Sequence, residues 1–143
     1  LFKNVEAAIF DMDGTLIDSM WVWISINTEY LAKRNLTVPS DLKKDIEHLT
    51  FAESAQYFKD RFNIKDSVDE IMGEWNSMAS YSYTHNVKLK SGAREYLSLL
   101  KTKGIKIGLA TSNFRPLVDL VLNNNNILHF FDAITTTDEV ARD

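Results

Sequence analysis

The spacing of apolar and polar positions changes twice along the chain, and each change marks a new kind of element. Val5-Glu6-Ala7-Ala8-Ile9-Phe10 is a short apolar run bounded by Asp11, which predicts a buried β-strand. Asp11-Met12-Asp13-Gly14-Thr15 reads as the loop that follows it. From Leu16 the period becomes helical. Ile17, Met20, Trp21, Ile24 and Leu31 fall on one face of a helix that Asn35 and Pro39 end. Leu42, Ile46 and Leu49 predict a second, shorter helix from near Ser40. Thr50-Phe51-Ala52-Glu53 has the spacing of a capping box and opens a third helix, with Phe51, Ala55, Phe58 and Phe62 on one face. Ser67-Val68-Asp69-Glu70 has the same spacing and opens a fourth, lined by Val68, Ile71, Trp75 and Met78. Each helix has a single apolar stripe, so the four are expected to pack on one another as a helical unit over residues 16–86.

Near Lys88 the pattern changes back. Ala93, Tyr96, Leu97 and Leu100 predict an amphipathic helix that stops at Gly104. Ile105-Lys106-Ile107-Gly108-Leu109-Ala110 predicts a second strand, running into Thr111-Ser112-Asn113. Leu117, Val118, Val121 and Leu122 predict a helix ended by the asparagines at 123–126, and Phe131-Asp132-Ala133-Ile134-Thr135 a third strand. This alternation implies a parallel sheet with crossover helices. The expected fold is thus α/β: a Rossmann-like parallel core from residues 1–15 and 87–143, with an all-helical insertion after the first strand.

Composition narrows the classes. The chain has 143 residues, 45% hydrophobic and 25% charged, which suits one sizeable core and excludes a disordered tail. There is no cysteine, so no thiol nucleophile, zinc ribbon or disulfide is available, and a reducing compartment is suitable. Net charge is −4 with lysine and arginine scattered, which argues against nucleic acid as a partner. No apolar run approaches the roughly 18 residues of a membrane span. No signal-peptide pattern opens the chain, so a cytoplasmic location is expected.

The chemistry is concentrated at two strand ends, where parallel α/β sheets bind ligands. Asp11 and Asp13 place two carboxylates two residues apart at the tip of an apolar strand. That arrangement is costly unless the groups are paired or hold a metal, and Mg²⁺ suits hard oxygen ligands. Gly14 lets the chain turn sharply. The alternative, that Asp13-Gly14 is a hairpin turn, is disfavoured because a helical period follows. Thr111 is the candidate donor at the second strand end, against the alternative that this segment is a helix N-cap. His48, His85 and His129 share no metal-ligand spacing. Trp21, Trp23 and Trp75 read as core of the helical unit, Asp18 as a helix-start residue and Arg115 as a solvated loop residue.

Phe10-Asp11-Met12-Asp13-Gly14-Thr15-Leu16-Ile17-Asp18-Ser19 resembles the first motif of the haloacid dehalogenase-like superfamily. The helical insertion is similar to the cap of its phosphoglycolate phosphatase and β-phosphoglucomutase branch. Ile107-Gly108-Leu109-Ala110-Thr111-Ser112-Asn113 resembles the second motif. The resemblance implies a Mg²⁺-dependent phosphatase acting on a small phosphorylated metabolite through an aspartyl-phosphate. Asp11 would be nucleophile and metal ligand. Asp13 would be general acid and base, with its backbone carbonyl on the metal. Thr111, with Ser112, Asn113 and Gly14, would bind the phosphoryl group. A sugar phosphomutase is the alternative; Trp23, where the mutases carry a histidine, and the arginine-free loop at 48–53 disfavour it. A dehalogenase is disfavoured by Asp13, and a receiver domain by the helical insertion. The superfamily's third-motif lysine and fourth-motif acidic cluster follow the third strand. Here the sequence ends at Glu139-Val140-Ala141-Arg142-Asp143, where the lysine segment is expected to begin. The chain therefore reads as the front part of a longer enzyme, inactive or non-catalytic by itself. Its first strand would be an exposed edge until the missing C-terminal portion or another chain completes the sheet.

Overall fold

The computed structural model describes residues 2–137 and 139–140. In chain order the elements are β1 (Ala7–Phe10), α1 (Val22–Ala32), α2 (Leu42–Ile46), α3 (Phe51–Arg61), α4 (Val68–His85), α5 (Ala93–Thr102), β2 (Lys106–Ala110), α6 (Arg115–Asn124), a 3-10 turn (Leu128–Phe130) and β3 (Ala133–Thr135). The chain divides into two compact units, one of Leu1–Trp21 with Ser80–Asp143 and one of Val22–Ala79.

The first unit is a parallel α/β arrangement. Its three strands lie in the order β1-β2-β3, and both pairings are parallel. Phe10 pairs with Leu109 and Ala110 with Thr135, so the carboxyl ends of all three strands lie on one side of the sheet. Ile107 and Leu109 are buried, and α5 packs on β2. α5 buries Ala93, Leu97 and Leu100 at helical spacing, and Gly104 at φ +72° ends it, because a left-handed residue cannot continue the helix. Tyr96, expected on that face, is exposed. α6 buries the predicted Leu117, Val118, Val121 and Leu122, and Asn126 at φ +51° follows it.

β1 is the exposed edge expected of the first strand: among the described residues it pairs with β2 alone, and Ile9 is 77% exposed, so the apolar run at 5–10 is not buried on both faces. One expectation needs correction, because no helix begins at Leu16. Residues 16–18 lie alongside 88–90, with the Asp18 N–H donating to the Lys88 carbonyl and the Lys90 N–H to the Leu16 carbonyl, both at 2.9 Å. The ladder between these segments captures Leu16 and Ile17, so α1 starts only at Val22. Asp18 is thus no helix start. Met20, Trp21 and Ile24 are exposed, while Val22, Ile26, Tyr30 and Leu31 are the buried positions of α1 or its last turn.

The second unit holds α1, α2, α3 and the first three turns of α4. Both capping boxes are formed. Thr50 and Glu53 exchange bonds at 2.8 and 3.3 Å, and Ser67 and Glu70 at 2.7 and 3.2 Å. An aromatic cluster fills the interior: Phe58 meets Trp75 edge-on at 4.8 Å and Tyr30 meets Trp75 at 5.6 Å. Trp23 packs edge-on against Phe51 at 5.6 Å. Trp21, by contrast, is no core residue; its indole N–H donates to the Asp18 carbonyl within the first unit. Among the described residues no helix is long and apolar enough to cross a membrane.

Asp132 fastens β3 to β2. Its N–H donates to the Ile107 carbonyl at 2.7 Å, and its carboxylate accepts from the Ile107 N–H at 2.8 Å and from Lys101 Nζ of α5 at 2.6 Å. The lysine first, and then the backbone N–H, lower its pKa from the ordinary 3.8 to about 2. A depressed carboxyl pKa contributes stability that is complete above the unfolded value and lost as pH falls through the folded one. The contribution of Asp132 should therefore disappear between about pH 4 and pH 2. A carboxyl carbon NMR titration should place its midpoint near 2, and Asp132→Asn should flatten the stability change over that window; an ordinary midpoint in the native protein would contradict the assignment.

Candidate active site

The site is built where β1 and β2 end, entirely from residues of the first unit. Gly14, at φ +75°, turns the chain off β1. The loop closes on the Met12 carbonyl, which accepts from the N–H groups of Thr15, Leu16 and Ile17 at 3.2, 2.9 and 3.2 Å. The Gly14 N–H donates to the Ile17 carbonyl at 3.0 Å, so it serves the loop itself. The turn buries Met12 and leaves Asp11 exposed, where its Oδ2 accepts from Thr15 Oγ1 at 3.3 Å.

Asp13 has a different environment. Its Oδ1 accepts from Ser19 Oγ at 2.7 Å and from the Tyr83 hydroxyl at 2.5 Å, and its Oδ2 from Asn113 Nδ2 at 3.2 Å. The same Asn113 amide donates to the Tyr83 oxygen at 3.3 Å. Ser19 and Tyr83 are buried. Burial first, and then the neighbouring Asp13 charge, hold the Tyr83 phenol well above its ordinary range, so it remains protonated and able to donate. The two carboxylates of the motif thus differ: one is open, and the other is held by three donors.

At the end of β2, the Thr111 N–H donates to the Thr135 carbonyl at 3.1 Å, extending the β2–β3 ladder by one bond. Thr111 Oγ1 accepts from the Asn113 N–H at 3.1 Å, which leaves its hydroxyl hydrogen free to donate elsewhere. Thr111 does not cap α6; Phe114 occupies that position, and Asn113 Oδ1 accepts from its N–H at 2.9 Å. Ser112 is exposed. Of the expected phosphate-binding group, Asn113 has its side chain turned to Asp13 and Tyr83. Arg115 is not a solvated loop residue: its guanidinium is paired with Asp119 and Glu139, each at 2.9 Å. His48, His85 and His129 are exposed, and His85 stacks on Tyr81 at 4.4 Å.

Sequence reasoning did not assign Ser19 or Tyr83 to the site. Ser19 stands within the first motif without a role. For Tyr83 a signal existed, because Ile71, Trp75, Ala79 and Tyr83 recur every four residues along α4 and all four are buried. Following the four-residue step from Trp75 through Ala79, in place of Met78, reaches it.

The match to the haloacid dehalogenase-like hydrolase family model covers residues 8–143, and the chain belongs to that family. It is 26% identical over 136 residues to a phosphorylated carbohydrates phosphatase of Thermotoga maritima, spanning 95% of this chain and 63% of that protein. It is 28% identical over 138 residues to the pyrophosphatase PpaX of Bacillus velezensis, spanning 96% of this chain and 62% of that one. Among solved structures, a β-phosphoglucomutase candidate from Thermotoga maritima matches with a TM-score of 0.84 and 26% identity, over 97% of this chain and 64% of that one. CbbY of Rhodobacter sphaeroides in complex with phosphate matches with a TM-score of 0.72 at 18% identity, a likeness of fold. The chain thus spans a little under two thirds of the length of these relatives.

The loop geometry can be tested at Gly14. A Cβ there would lie 3.0 Å from Met20 Cγ and Sδ, and φ +75° disfavours any side chain. Gly14→Ala should cost about 1–2 kcal/mol from backbone strain, read as a lowered urea midpoint. Adding Met20→Ala should relieve the contact and leave most of that loss in place. Full recovery in the double variant would show that crowding, and not backbone conformation, makes glycine necessary.

Proposed function

We propose that the chain carries the reaction centre of a phosphatase that hydrolyses a small phosphorylated metabolite through an aspartyl-phosphate on Asp11, with Mg²⁺ as cofactor. The observation that supports it most is the unequal treatment of two carboxylates two residues apart. Asp11 is open at the strand tip, where a nucleophile can meet phosphorus, while Asp13 is fixed in orientation by Ser19, Tyr83 and Asn113.

In the first half-reaction an Asp11 carboxylate oxygen attacks phosphorus and the bond from phosphorus to the ester oxygen breaks. The electron pair passes to that oxygen, which takes the Asp13 proton and leaves as the alcohol. In the second, Asp13, now ionised, takes a proton from water as the water oxygen attacks phosphorus. The bond to Asp11 then breaks and inorganic phosphate departs. The Thr111 hydroxyl is available to donate to a phosphoryl oxygen throughout, with Ser112 and the loop after β1 flanking the group.

The donor set suits Mg²⁺. The Asp11 carboxylate is exposed, and the Asp13 side chain, occupied by three donors, leaves the backbone carbonyl as that residue's metal oxygen. These are two hard oxygens. Among the described residues no group of three or more His, Asp or Glu side chains is placed to hold a metal. When bound, the ion supplies positive charge that offsets repulsion between Asp11 and the phosphoryl oxygens.

We read the helical insertion expected over residues 16–86, whose compact part is Val22–Ala79, as the helical cap of this enzyme. A sugar phosphomutase is the second reading, favoured by the likeness to the β-phosphoglucomutase candidate. Trp23 and the arginine-free loop at 48–53 lack groups that would retain an intermediate for return transfer.

In the full-length polypeptide, Asp11→Asn should abolish Mg²⁺-dependent phosphate release with the fold intact. Asp13→Asn should slow it by about 10²–10⁴. Acid quenching with labelled substrate should leave phosphate on the wild-type protein and none on Asp11→Asn. Undiminished release by Asp11→Asn would refute the covalent route, and transfer to a second sugar hydroxyl without free phosphate would select the mutase.

A further inference from the structure

We infer that Tyr83 is a positioning residue for Asp13, fixing the carboxyl group that protonates the leaving oxygen; the inference rests on the phosphatase reading above. The argument begins with where the partners of Asp13 come from. Ser19 belongs to the same loop, six residues on, so it moves with Asp13 and gives no outside reference. Tyr83 is seventy residues away in sequence, near the end of α4, and is 1% exposed. A buried aromatic ring has few alternative rotamers and holds its hydroxyl at a set point. Asn113, on the loop after β2, closes a triangle: its amide reaches both Asp13 Oδ2 and the Tyr83 oxygen. The carboxyl group is therefore located from two directions by elements that do not belong to its own loop.

The chemistry of the partners suits a group that gains and loses a proton. A hydroxyl both donates and accepts, whereas an amide N–H only donates. Tyr83 and Ser19 can each reverse a hydrogen bond at Oδ1 when Asp13 becomes a neutral acid, so contact survives both halves of the reaction. A phenylalanine in place of Tyr83 would fill the same space and remove the reference. The Asp13 side chain would then rotate among staggered positions, of which one serves proton transfer.

The test is Tyr83→Phe in the full-length polypeptide with two monoesters. An alkyl phosphate must have its alkoxide protonated to leave, whereas a nitrophenyl phosphate releases a phenolate that needs no proton. With the alkyl ester, phosphorylation of Asp11 in a single turnover should slow by about 10–100-fold. KM should change little, and the nitrophenyl burst should keep its rate. An equal loss on both esters, or full rate on the alkyl ester, overturns the role. A second measurement is independent of turnover. The Tyr83 hydroxyl proton should give a slowly exchanging downfield NMR resonance that is lost in Asp13→Ala; its persistence there overturns the contact. If the wild-type polypeptide forms no phosphate on Asp11, the phosphatase reading falls and this role with it. If the wild type turns over and Tyr83→Phe is indifferent, only the present inference falls.

Discussion

The parallel pairing of β1 with β2, with Phe10 opposite Leu109, is the constraint on which the site depends. Two chains paired in parallel end on the same side of a sheet, so the loop after β1 and the loop after β2 become neighbours whatever the length of chain between them. The entropy of closing so long a connection grows only with the logarithm of its length, which lets a whole helical unit stand between the two strands. The β2–β3 pairing repeats the device, and Asp132 anchors its start through Ile107 and Lys101.

Once the two loops meet, charge decides their arrangement. A carboxylate at a strand tip must recover the hydration it loses, and Asp13 does so through three protein donors in place of water. Asp11 remains in contact with solvent. Gly14 makes the difference possible, because its left-handed backbone sends the chain back on the Met12 carbonyl and aims the two side chains into unlike surroundings. Two residues of one chemical type thereby acquire unlike surroundings, one open to solvent and one held by protein donors.

The second unit shows how much of a helix is local. Thr50 with Glu53 and Ser67 with Glu70 form their reciprocal bonds within one turn, so spacing alone foretells them. The left-handed stops at Gly104 and Asn126 are local in the same way, and the buried stripes of α5 and α6 follow from a regular period.

The sequence by itself determined the capping boxes, the helix stops and the Asp11–Asp13 loop, because each depends on contacts within a few residues; the alternation of these elements then implied the parallel α/β class. The start of α1 was decided elsewhere: Leu16 and Ile17 have helical spacing, yet the segment at 88–90 draws them into a ladder. The exposure of Ile9 depends on which strands flank β1; an apolar run carries no record of its neighbours, and the expectation of an exposed edge rests on the family resemblance. Tyr83 and Asn113 reach Asp13 only because a helix end and a strand end converge there, seventy and one hundred residues along the chain. Hydrogen bonds act over about 3 Å, and only the tertiary structure brings such distant residues within that range.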